Sequence, residues 1–171
     1  GNVAGGNLTS PGTVSVTGAR VVLGDVIAGA VSLASGSDIL FDLIRSTSPV
    51  TLTASNGLIG GNTGAGDIES GGDVTLLAQS MALGLVGAGG SIAAGTSAGD
   101  MTFARLEAGR NIALDSAGGI NVDHAEAGGN FTAAAAGAFA TCPNFIITGG
   151  DIVINAGRPV TLGNSGSGGL I

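Results

Sequence analysis

A short phrase recurs about every twenty residues along most of this 171-residue chain. It consists of a small residue, a glycine and a polar residue, followed by an apolar–small–apolar triplet. A fixed period in this range is typical of architectures in which each repeat stacks on the next. The repeat therefore predicts a solenoid. Its clearest copies are Gly71–Leu76, Gly109–Leu114, Gly128–Ala133 and Gly149–Ile154.

Apolar residues align between repeats in three registers, which predict three short strands in each of about eight coils. The second register follows the first by eight or nine residues, and the third lies six residues before most first-register positions. Coils vary from 17 to about 25 residues, so one connection must absorb the difference. The two irregular stretches, Ile59–Gly72 and Thr141–Gly149, are predicted to be loops in that connection. The first register is Val14, Val31, Val50, Val74, Ile92, Ile112, Phe131 and Ile152; the second is Val22, Ile39, Leu58, Leu83, Met101, Ile120, Phe139 and Val160; the third is Val26 (shifted by one), Ile44, Ile68, Val86, Leu106, Ala125 and Ile146.

Within each predicted strand the pattern has a period of two, with apolar residues inward and small polar residues outward. Leu76 and Leu114 are accordingly predicted to lie in the core. The residue just before each first-register strand forms a polar column, where short side chains can bond backbone groups and stack from coil to coil. This column contains Asp73, Ser91, Asn111, Asn130 and Asp151.

The composition excludes several classes of partner. The chain has no Lys, only five Arg and a net charge of −7, so it lacks the basic patch that nucleic acids or anionic lipids require. No apolar run is long enough to cross a bilayer. The hydrophobic share of 44% with 10% charged residues argues against disorder. The single cysteine, Cys142, excludes an internal disulfide and is a candidate for a thiol link between chains.

The repeated phrases resemble those of filamentous haemagglutinin-like proteins, which are large bacterial exoproteins and adhesins. The resemblance is carried by Gly-Gly-Asp/Asn-Val/Phe-Thr units, as at Gly71–Thr75 and Gly128–Thr132, and by links such as Ile68–Gly71 and Ala125–Gly128. It implies a right-handed parallel β-helix, exported by two-partner secretion to the cell surface. Residues 1–171 are then a single β-helix domain, a segment of a longer solenoid.

The function expected from this resemblance is structural: a shaft of a surface adhesin that supports attachment. Its expected partners are flanking coils or other copies at the open solenoid ends, and a glycan or protein of a host or cell surface. An alternative is an extracellular filament or biofilm-matrix subunit that stacks end to end. A more remote alternative is a glycan-active β-helix enzyme, although the chain has no Trp or Tyr to form sugar platforms.

One charged cluster is the strongest candidate surface patch. The registers place Arg105 beside His124 and Glu107 beside Glu126, each pair one coil apart. These four side chains are predicted to form a charged quartet on one sheet. Either they bind a ligand or metal and perform acid–base chemistry, or they offset two stacked glutamates by surface ion pairing, which stabilises little.

A second motif, Gly95-Thr96-Ser97-Ala98-Gly99, matches the G-x-S-x-G turn of serine hydrolases. That turn requires a strand followed by a helix, and no helix is predicted here. We therefore predict no catalytic, cofactor-binding or metal-binding residue, and a chain that is not an enzyme.

Overall fold

In the computed structural model, which describes residues 1–169 without the side chains of residues 142–144 and 164, every regular element is a β-strand. The strands pair in parallel from coil to coil and form a β-solenoid of about eight turns. This confirms the predicted all-β solenoid with three strands per coil. The strands are β1 (Val3–Ala4), β2 (Leu8–Gly18), β3 (Val21–Val22), β4 (Asp25–Ser35), β5 (Ile39–Phe41), β6 (Leu43–Ser46), β7 (Val50–Ala54), β8 (Leu58–Gly61), β9 (Asp67–Ser70), β10 (Val74–Ala78), β11 (Ser80–Ala88), β12 (Ile92–Thr96), β13 (Met101–Ala108), β14 (Ile112–Ser116), β15 (Ile120–Ala127), β16 (Phe131–Ala135), β17 (Phe139–Thr148), β18 (Ile152–Ala156) and β19 (Val160–Ser167).

The first and third predicted registers are confirmed residue by residue. Each first-register residue pairs with the next one predicted, from Val14 opposite Val31 to Phe131 opposite Ile152. The third register is likewise correct from Val26 to Ile146. Leu8 begins this third ladder because it pairs with Val26.

The second register was predicted wrongly in three coils. The paired residues are Val21, Ile59 and Met81, whereas the sequence analysis chose Val22, Leu58 and Leu83. In the first two cases two apolar residues are adjacent, and the one that points into the core belongs to the ladder. In the third case the predicted residue was Leu83, which also points inward but lies two positions beyond Met81. With these corrections, the spacing from the first to the second register is seven to nine residues, not eight or nine.

The prediction that one connection absorbs the length differences is confirmed only for the two longest coils, because the spacing from the first to the second register also varies, from seven to nine residues. That connection joins the second and third ladders, and it is continuous strand in β11, β13, β15 and β19. It is interrupted between β8 and β9, where residues 62–66 form a loop within the predicted Ile59–Gly72 stretch. The predicted loop at Thr141–Gly149 is wrong, because β17 runs through to Thr148 and takes up the insertion as a register shift between Thr141 and Phe145.

The core is a stack of mainly apolar side chains that come from the inward strand positions. Leu76 and Leu114 are 0% and 3% exposed, which confirms their predicted core positions. Phenylalanines fill several levels, and the rings of Phe131 and Phe139 meet edge to face at 6.1 Å. At the corners the buried residues are small and include hydroxyls: Ser70 Oγ, for example, donates to the Ser48 carbonyl (2.9 Å). The polar groups of the corners are thus satisfied without widening the core.

The predicted polar column is a hydrogen-bonded ladder. The backbone N–H of Ser91 donates to Asp73 Oδ1 (2.8 Å), and that of Asn130 donates to Asn111 Oδ1 (2.8 Å). Each side chain therefore ties its corner to the coil above. The same bond recurs at the other two corners. Among the described residues, seven such bonds come from a residue that follows a glycine one coil above, and they pair Asn7 with Gly24, Asp38 with Gly57, Asp67 with Gly84, Asp73 with Gly90, Asp100 with Gly118, Asn111 with Gly129 and Asn130 with Gly150.

Candidate functional site

The candidate patch lies on the third ladder, where β13 and β15 run side by side. Arg105 is directly opposite His124, and Glu107 is opposite Glu126, so the structure brings together the four residues that the sequence placed together. The side-chain contacts, however, run within each strand. Arg105 Nε contacts Glu107 Oε1, and His124 Nε2 lies 2.9 Å from Glu126 Oε1. The quartet is therefore two neighbouring pairs, each between residues two apart.

His124 has a neighbour that the sequence analysis missed. The ring of Phe145, from the coil above, meets the imidazole edge to face with centroids 4.3 Å apart. The His124 side chain is only 15% exposed as a result. The signal for this contact was present in the sequence, because Phe145 directly precedes Ile146 as His124 precedes Ala125.

A third acid–base pair on the same ladder was also missed. Arg45 and Glu69 lie opposite each other in adjacent coils, and Arg45 Nε donates to Glu69 Oε2 at 2.8 Å. This hydrogen bond lowers the pKa of the Glu69 carboxyl and, with the charge of Glu69, raises the pKa of Arg45. Glu69, Glu107 and Glu126 share one outward position along the third ladder, which we call the glutamate rank. Each of these three glutamates thus has a basic partner.

The three glutamates border a shallow open groove along the third ladder. Gly87 stands between Glu69 and Glu107 in the rank and leaves the groove floor free of a side chain. Leu85 and Ile147 add apolar surface to the lining. Carboxylates beside a small, flat floor can accept hydrogen bonds from hydroxyl or amine groups.

The loop of residues 62–66 is fixed by one carboxylate of the coil below. Thr63 donates to Asp42 Oδ1 twice, through its backbone N–H (2.8 Å) and its hydroxyl (2.7 Å). These bonds lower the pKa of Asp42, with the hydroxyl making the largest contribution. The loop closes at Gly66, whose φ of 72° suits a residue without a side chain.

Ser97 is an exposed corner residue whose hydroxyl donates to the Ala78 carbonyl at 3.4 Å, and no helix follows it in residues 1–169. It belongs to the corner after the first ladder, whereas His124 lies on the third. The side chain of Cys142 is outside the described residues.

Within the part of the chain that the structure describes, no three His, Cys, Asp or Glu side chains are grouped so that they could hold a metal ion. In that same part, no helix has the length and apolarity that crossing a membrane requires.

Replacing Glu69 by Gln should remove a small, pH-dependent contribution to stability. Because Arg45 lowers the folded-state pKa of Glu69, the ionised pair stabilises the fold above the usual glutamate pKa, and the effect is lost as pH falls through the lowered value. Chemical denaturation should therefore give a lower free energy of unfolding for Glu69→Gln than for wild type at pH 7, and equal values at acid pH. Both side chains are about half exposed, so the difference should be small. A difference that persists unchanged at acid pH would contradict this account.

No protein-family model, curated protein or solved structure matches this chain. The likeness to filamentous haemagglutinin-like proteins therefore stays a prediction made from the repeat phrases.

Proposed function

We propose that this chain is a shaft segment of a secreted bacterial surface adhesin or exoprotein, where it supports attachment. Its architecture suits that role. Parallel pairing continues along all three ladders, from β1 on β3 to β17 on β19. At about 4.8 Å per coil, eight coils make a rod roughly 40 Å long. Because each coil contacts only its neighbours, such a rod can be lengthened by adding coils.

The observation that carries the proposal is the apolar end of the last described coil. Val160 and Leu162 are 45% and 38% exposed. The residues directly below them, Phe139 and Thr141, are both 0% exposed. Val160 and Leu162 thus occupy core positions that one more layer of chain would bury. We infer that further coils, or another copy, cover this face in the assembled shaft.

Surface labelling of the source bacterium tests the proposed location. Antibodies raised against the purified chain should label intact cells by immunogold electron microscopy, and external protease should remove the label. The matched control is the same antibody on permeabilised cells, which reports any internal pool. Labelling that appears only after permeabilisation would contradict a surface shaft.

The alternative, a filament subunit that stacks end to end, is favoured by the same exposed Val160 and Leu162. The purified chain should then form fibres with a meridional spacing of about 4.8 Å. Leu162→Lys should abolish them, because it places a charge in the stacking face. Leu77→Lys is the matched control, since Leu77 is 50% exposed on the side of the rod. A chain that sediments as a monomer at all concentrations would rule out the filament and leave the shaft.

A further inference from the structure

Asn56 and Gly57 form the only Asn-Gly step in the chain. They lie in the turn between β7 (Val50–Ala54) and β8 (Leu58–Gly61), where the Asn56 side chain is exposed. A glycine after asparagine leaves the following amide nitrogen unhindered, because it has no Cβ. That nitrogen is the atom that attacks when an asparagine side chain cyclises.

The fold itself requires a glycine at this position. A Cβ on Gly57 would lie 2.5 Å from Asp38 Oδ1 and would clash with the backbone carbonyl carbon of Ser37 in the coil below. Asp38 Oδ1 is in turn occupied by the corner bond, in which the backbone N–H of Leu58 donates to it at 3.1 Å. The coil below thus imposes the residue that makes Asn56 reactive.

The amide of Gly57 is also not held by a hydrogen bond. Neighbouring turn residues use theirs: Ser55 donates to the Ser35 carbonyl (2.9 Å) and Leu58 to Asp38. Among the described residues, the Gly57 N–H has no hydrogen-bond acceptor. The nucleophile is therefore not tied into the ladder that immobilises its neighbours.

We propose that Asn56 is a site of spontaneous deamidation. The Gly57 nitrogen loses its proton to hydroxide and attacks Asn56 Cγ. A carbon–nitrogen bond forms to close a succinimide, and ammonia leaves. Water then opens the ring at either carbonyl and gives aspartate or isoaspartate. No oxidant or further reactant is needed.

The product alters one inter-coil contact. In the intact chain, Asn56 Nδ2 donates to the Gly36 carbonyl at 3.3 Å. After deamidation a carboxylate takes the place of this donor, and isoaspartate also lengthens the backbone of the turn by one atom. The reaction therefore replaces an attractive contact between two coils by a repulsive one, near the carboxylate of Asp38.

Peptide mapping of the folded protein after incubation at mildly alkaline pH tests the proposal. Tandem mass spectrometry should show the amide-to-acid mass change at Asn56 at least several-fold faster than at Asn62 and Asn155. Those two asparagines are also exposed but precede Thr63 and Ala156, whose side chains hinder the attack. Asn56→Ser should remove the signal while leaving the fold intact.

A rate at Asn56 no greater than at Asn62 and Asn155 would overturn the proposal, because it would mean that the turn holds the Gly57 nitrogen away from Cγ. Asn56→Asp supplies a second readout, because it reproduces the charge without waiting for the reaction. Its denaturation midpoint should fall below that of Asn56→Ser. An equal midpoint would overturn the stated effect on the Gly36 contact.

Discussion

Replacing Leu76 by Asp should unfold the solenoid. Leu76 is 0% exposed and stacks between Leu52 and Ala94 in the first ladder. A carboxylate there would be buried without a partner, at a cost of several kcal/mol. That is comparable with the entire stability of a typical domain, about 5–15 kcal/mol. Circular dichroism of the variant should show loss of the β-sheet signal, or a much lower denaturation midpoint.

The next residue provides a matched control. Leu77 belongs to the same strand, but its side chain points outward and is 50% exposed. Leu77→Asp therefore makes the same chemical change one position away and should leave the midpoint almost unchanged. Equal destabilisation by the two substitutions would mean that the inward and outward faces are assigned wrongly.

The second large effect is expected at Gly90, in the corner ladder. A Cβ on Gly90 would clash with Asp73 Oδ1, the atom that accepts the backbone N–H of Ser91. In Gly90→Ala the carboxylate must move and lose this bond, or the two coils must separate. Loss of a hydrogen bond to a charged group costs about 1.5–3 kcal/mol. Denaturation should show a loss of stability of about that size.

A double-mutant cycle separates this coupling from a general intolerance of alanine. In an Asp73→Ala background the carboxylate is absent, so Gly90→Ala should cost clearly less than it does in the wild type. Gly87→Ala is the matched control, because its Cβ would meet nothing nearer than the Ile68 carbonyl at 3.7 Å. If the cost of Gly90→Ala is the same in both backgrounds, Asp73 is not the cause.

One coil has a bulky residue at the position that corresponds to Gly90. Arg110 stands where the coils above and below have Gly129 and Gly90. The corner residue below it is Ser91, whose side chain is shorter than that of Asp or Asn. The Ser91 hydroxyl accepts the backbone N–H of Asn111 at 3.4 Å, which is longer than the corresponding bond to Asp73. A bulky residue is therefore tolerated where the side chain below leaves room for it.

The candidate site could be predicted only in part. The alignment of the third register correctly placed Arg105 beside His124 and Glu107 beside Glu126, because parallel pairing puts equivalent residues next to each other. It did not reveal that Arg105 pairs with Glu107 of its own strand, since the choice between partners along and across strands depends on side-chain conformation. The Phe145 contact was missed although Ile146 was placed in the correct register, because edge-to-face packing of two rings also depends on side-chain conformation.

The amino-acid sequence alone determined the solenoid, its coil number, two of its three ladders and the polar corner column. A repeating pattern suffices for these features, because each coil must bury the same face on the next. Only the tertiary structure decided between Val21 and Val22 and between Leu58 and Ile59, where adjacent apolar residues compete for one inward position. It also showed that a corner Asp or Asn and the glycine one coil above it act as a unit. Residues about twenty positions apart meet there in space, and the clash that couples them exists only once the coils are stacked.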